Sequence, residues 1–298
     1  MVMKKLFIIL LLLTLTPKPA FGVGLGYQKT GKQLQRIERM FQNQCVKKDR
    51  LASKYCQGLE RKQRQIKKRL EKTSQEQNTS IPAISKLHTF YKKQIEALGI
   101  SIISSEKTDD SALYKAKEII EIMLQNRPDI AEKIKSTGVR VAIIAEEEQT
   151  TDLPEYSDLD EFWNIRSRGF GATFARPISS GAEENLLQYN SDRYLGENIF
   201  IHEFAHTIHL IALDQIDPQF TQQLELMYNK NKELWTNTYA SENAQEYWAE
   251  GVQSWFDANL EGPQGGNGIH NSINTRSELK HYDPELAKLI REVFQAKS

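Results

Sequence analysis

The segment Ile199–Leu210 reads IFIHEFAHTIHL and sets His202, Glu203 and His206 in the order H-E-x-x-H. Histidines four apart lie one turn apart on one face of an α-helix, so both imidazoles can reach a single metal ion. Glu203 is offset from that face but close enough to touch a water on the same metal. That is where a general base for metal-assisted hydrolysis has to stand. The pattern requires this segment to be helical and requires another part of the chain to fold back and complete the site. The alternative is a helix carrying two packed histidines.

A catalytic zinc usually takes three protein ligands. One route places a glycine at 209 and a third histidine at 212, but the chain has His209 and Ala212 there. The other route is a glutamate on a later helix. Residues 239–256 read YASENAQEYWAEGVQSWF, in which Glu246 and Glu250 are four apart and share a helix face. Glu246 is the candidate third ligand. Glu250, one turn on, is placed to accept a hydrogen bond from a ligating histidine. The alternative is two glutamates on a solvated face, but Tyr247, Trp248, Trp255 and Phe256 flank them, which is unlike a solvated helix.

The pairing of HEFAH with Tyr-x6-Glu-x3-Glu resembles the gluzincin metallopeptidases, and within them the catalytic domain of the anthrax lethal factor family. The resemblance implies a zincin-like fold with one Zn²⁺ per chain held by His202, His206 and Glu246, and Glu203 as general base. It implies that Tyr239, seven residues before Glu246, stabilises the tetrahedral intermediate. In that class an edge strand commonly lines the cleft and pairs with an extended peptide. The resemblance covers roughly Asn198 to Phe256 and says nothing of the first half of the chain or of a particular substrate.

Other residues carry weaker signals. His209 lies two turns from His202 and either lines the cleft or packs behind it. His270 and Arg276, in HNSINTR, follow a glycine-rich stretch, Gly262 to Gly268. That loop could close over the cleft, with Arg276 meeting a substrate carboxylate, or it is an ordinary structural loop. Tyr194 is a second candidate for the oxyanion role.

The rest of the chain sets the context. Lys4 and Lys5, the apolar run Leu6–Leu15, and small Ala20 and Gly22 read as a secretory signal over 1–22, with an uncleaved anchor as the alternative. The protein is therefore expected to be secreted or periplasmic, with no transmembrane segment after cleavage and with disulfides permitted. Residues 23–80 read as a basic helical hairpin. Cys45 and Cys56 would be about 16 Å apart on one straight helix, so the expected bridge between them needs a turn. Unpaired thiols or a bond to another chain are the alternatives.

The hairpin, basic over 29–72, is a solvated spacer, a prosegment or a dock for an anionic envelope polymer. The whole chain balances 39 basic against 39 acidic residues, which gives no reason to expect a specific nucleic-acid partner. Residues 81–298 are expected to form an α+β, mostly helical catalytic domain with a small sheet. The sequence predicts a helix over 91–98 ending at Gly99, and a short strand at 100–103. Further on it predicts a helix over 112–125 capped by Asp110 or Ser111, a strand over 139–145, and mostly loop over 146–197. The activity expected is hydrolysis of a peptide or protein substrate. The alternatives are a zinc hydrolase acting on a non-peptide amide or glycan-linked substrate, and a non-catalytic zinc-containing binding protein.

Overall fold

The computed structural model describes residues 89–295 and Arg61. The expected signal segment 1–22, the hairpin 23–80 with its Cys45–Cys56 bridge, and the docking surface 29–72 lie outside the described residues. Everything below belongs to the unit Ile81–Ser298.

The fold is α+β and mostly helical. A four-stranded sheet has the order β1 (Lys93–Ala97), β2 (Ile100–Ser104), β3 (Arg140–Ile144), β4 (Ile178–Ala182). The first pair is an antiparallel hairpin with Ala97 opposite Ile100, and the other two pairs are parallel. Residues 93–97 are thus a strand, where the sequence predicts a helix. The turn decides it: Leu98 and Gly99 have φ of 52° and 79°, the two left-handed residues that a tight hairpin needs.

The parallel step from β2 to β3 is made by α1 (Asp110–Leu124) and α2 (Pro128–Ser136). Asp109 caps α1 by accepting from Ser111 N at 2.8 Å, one residue before the predicted cap. Period-two alternation sends Ile102, Val141 and Ile143 into the main core with α1 and α2. Ile103, Ala142, Ile144 and Ile178 pack on the opposite face against Leu153 and Tyr156. Both faces are covered, which is why residues 139–145 are almost wholly apolar.

After β4 come α3 (Ile199–Thr207), a π-helical continuation (Ile208–Leu213), α4 (Phe220–Asn231), α5 (Ala244–Trp255), α6 (Arg276–Tyr282) and α7 (Pro284–Phe294). It is β4 that packs on α3, so β3 is one strand removed from the motif helix. A Cβ on Gly181 would come within 2.9 Å of Phe200 Cδ2, so the glycine sets how closely strand and helix approach. Trp248 ties α5 to α3 by donating to Ala205 O at 2.9 Å. The buried Asp283 carboxylate accepts from Tyr247, Trp235 and Asn231 and caps α7 at Leu286 N. No helix among the described residues is long and apolar enough to cross a membrane.

Candidate metal centre

Asn198 caps α3 by accepting from Ile201 N at 3.0 Å, and Asn243 caps α5 by accepting from Gln245 N and Glu246 N. These caps fix where His202, His206 and Glu246 sit on two packed helices. His202 Nε2 lies 3.0 Å from Glu246 Oε2 and 3.1 Å from His206 Nε2, and the third side of the triangle is 3.2 Å. All three residues are buried. Tetrahedral ligands at bond lengths of about 2.0–2.1 Å stand about 3.3 Å apart, so the triangle has the dimensions of one face of such a site. The group could hold a metal ion.

Hydrogen bonding orients the donor atoms of this group. Gln253 directs its Nε2 at Glu197 Oε2 and Asn198 O, both at 3.3 Å. Its Oε1 is therefore the atom facing His202 Nδ1, at 2.8 Å. In the neutral ring His202 Nδ1 donates, which leaves the Nε2 lone pair turned towards Glu246 and His206. Electron pairs converging at such distances call for positive charge between them, which a proton on His202 or a metal ion supplies.

The electrostatics favour positive charge beside Glu246. Burial disfavours charge on His202, yet the hydrogen bond and charge of Glu246, then Glu203 and Glu250, raise its pKa to about 10. Burial also works against an ionised Glu246, but His206 and His202 outweigh it and hold that carboxyl well below the usual range.

Gln253 is a residue that the sequence reading misses. Glu250, expected to orient a ligand histidine, has Oε1 at 3.5 Å from His202 Nδ1, so the shorter bond belongs to Gln253. Positions 246, 250 and 253 share one face of α5, and pattern alone does not choose between the last two. Glu250 Oε2 instead accepts from Asn259 Nδ2 at 3.0 Å. Replacing Gln253 by Met keeps the bulk and removes the acceptor. Metal affinity is expected to fall about 10- to 100-fold, read by competition with a chromogenic chelator. Affinity equal to wild type would contradict this orienting role.

Glu203 is half-buried and outside the triangle. Burial raises its carboxyl pKa; His202 and His206 oppose that, and the Gly171 N–H also favours the ionised form. Gly171 belongs to a segment lying between β4 and α3. Phe170 bridges antiparallel to Ser180, Ala172 N donates to Thr207 Oγ1 at 2.9 Å, and Thr207 Oγ1 donates to Glu203 O at 3.1 Å. Arg168 anchors the segment through a buried two-pronged pair with Glu184, at 2.6 and 2.8 Å. The expected cleft strand is therefore partly covered at its outer edge by this segment.

A Cβ on Gly171 would sit 2.6 Å from His206 Cβ and 3.0 Å from Glu203 O. Gly171→Ala is expected to lose about 1–3 kcal/mol through overpacking and to weaken metal binding. Urea denaturation checks it, and an unchanged midpoint would show that the close approach is not required.

Tyr239 starts a short 3₁₀ turn, with its ring 6.2 Å from that of His202. Its hydroxyl accepts from Arg166 Nη2 at 3.2 Å. The glycine-rich loop is tied to the chain leading into Tyr239. Gly268 N donates to Asn237 O and Tyr239 N to Ile269 O, both at 2.8 Å. Gly266, at φ 82°, would place a Cβ 2.2 Å from Asn237 O. This loop supports the Tyr239 turn.

The three candidate substrate residues have partners within the protein. His209 falls in the π-helical stretch, packs against Phe220 and Trp248, and bonds Thr221 Oγ1 at 2.8 Å. His270 is buried behind His202, 3.5 Å from Glu197 and 3.9 Å from Glu250. Arg276 stacks on Trp255 and donates to Trp255 O at 2.7 Å. Each is held by the protein itself. Tyr194 donates to Arg166 O at 3.4 Å, whereas it is Tyr239 that stacks on His202. No protein-family model matches the chain, and no curated protein matches its sequence.

Proposed function

We propose that this chain is a zinc-dependent hydrolase that cleaves peptide bonds, a gluzincin-type metallopeptidase exported from the cytoplasm. The observation that carries the reading is the buried His202–His206–Glu246 triangle with the Glu203 carboxyl beside it but outside it. A purely structural site has no use for that fourth group.

Two imidazoles and one carboxylate are a donor set suited to zinc, with a position left for water. When bound there, zinc supplies a Lewis acid that polarises a carbonyl and lowers the pKa of water towards about 7. Glu203 takes the proton from the attacking water and passes it to the leaving amine. Tyr239, steadied by the His202 ring and the Arg166 hydrogen bond, donates a hydrogen bond from its hydroxyl to the developing oxyanion. Gln253 keeps His202 in the tautomer whose Nε2 faces the site.

The test is a pool of peptides of known sequence incubated with zinc-loaded protein, new termini being read by mass spectrometry. Cleavage lost to a chelator and restored by zinc is the expected result. Intact peptides beside a cleaved glycan-linked amide would move the substrate class. A zinc-loaded protein inert towards both would overturn the hydrolase reading.

A further inference from the structure

Arg166 ends the one-turn helix Phe162–Arg166 and is exposed. Its backbone is held firmly. Arg193 spends Nη1 and Nη2 on the carbonyls of Ile165 and Asn164, at 2.6 and 2.9 Å, and Tyr194 donates to Arg166 O. The Arg166 side chain lies over the Tyr239 ring, 5.7 Å from its centroid, and Nη2 reaches the Tyr239 hydroxyl. The guanidinium therefore stands beside the group assigned to the oxyanion.

Arg127, Arg140, Arg168 and Arg176 each pair with a carboxylate. Among the described residues, no carboxylate pairs with Arg166, Arg193, Arg276 or Arg291, and of these it is Arg166 that bonds the Tyr239 hydroxyl. Its one side-chain hydrogen bond uses one of five N–H groups, and the neutral tyrosine does not match its charge. The residue is exposed, as is Ile165 beside it. A planar fork with free donors is suited to gripping a carboxylate through two parallel bonds.

We infer that Arg166 is a specificity residue that binds a substrate carboxylate close to the scissile bond. This rests on the peptidase reading above and names the chemistry its substrate carries. The carboxylate has two sources, an aspartate or glutamate side chain or a free C-terminus. Ile165, 77% exposed on the same turn, offers an apolar contact to a neighbouring side chain.

The test measures binding, using the zinc-loaded full chain and short peptide hydroxamates, by calorimetry. One probe carries Glu next to the hydroxamate with an amidated C-terminus. A second carries Gln in its place, and a third carries Gln with a free C-terminal carboxylate. In wild type, one of the two carboxylate probes is expected to bind about 10- to 100-fold more tightly than the neutral one. Which of them does so identifies the source. In Arg166→Gln that preference is expected to collapse to within about twofold.

Equal binding of all three probes by wild type would overturn the inference, as would a preference that survives in Arg166→Gln. An arginine that only steadies Tyr239 would lower turnover of every peptide alike and show no carboxylate preference, which also overturns it. Failure of every hydroxamate to bind the zinc-loaded protein would instead remove the peptidase reading on which the inference stands.

Discussion

Glu246→Gln is expected to cost the protein its metal while leaving the fold intact. Glu246 is the anionic corner of the triangle, and His202 and His206 both lie within 3.2 Å of its Oε2. An amide of the same shape keeps the packing and the Asn243 cap, which uses only the Glu246 backbone N–H. It removes the charge that draws a cation between the two imidazoles. The loss of affinity should exceed the roughly 10- to 100-fold typical of changes to outer hydrogen-bond partners. Zinc at about a thousand times its Kd should stabilise wild type by about 4 kcal/mol, visible as a higher Tm. The variant's Tm should not respond to zinc. A zinc-induced shift as large as that of wild type would show that the third ligand lies elsewhere.

Glu203→Gln is expected to do the opposite, keeping metal and losing turnover. The Glu203 side chain is not part of the triangle, so zinc content should match wild type. Loss of proton transfer should lower kcat by about 10²- to 10⁴-fold. The measurement is the rate of peptide cleavage at equal zinc occupancy. Activity within about tenfold of wild type would remove Glu203 from the role of base. Together the two variants separate holding the ion from moving the proton.

The candidate ligands were legible in sequence because helical periodicity dictates them. Spacings of four on α3 and α5 put His202 with His206, and Glu246 with Glu250, on shared faces. Strand β3 was equally plain as a β-branched apolar run. Local pattern failed where a distant contact decides.

Lys93–Ala97 is built of residues common in helices, and the two left-handed residues after it make it a strand. Strand β4, Ile-Ser-Ser-Gly-Ala, carries little apolar bulk because Phe200 of the motif helix presses on Gly181. Its small residues therefore read as loop. Gly171 has the same origin, since its need for a bare Cα comes from His206, 35 positions later in the chain. Gln253 competes with Glu250 for His202, and only the folded distances of 2.8 and 3.5 Å separate them. Arg166 carried no motif at all. Its place beside Tyr239 depends on a turn clamped by Arg193, a tertiary arrangement without a sequence signature.

The most direct test of the central claim is the metal content of purified full-length protein, measured by inductively coupled plasma mass spectrometry after dialysis against metal-free buffer. The account predicts about one zinc per chain. A protein that holds no zinc, and takes none up when it is supplied in excess, would contradict it.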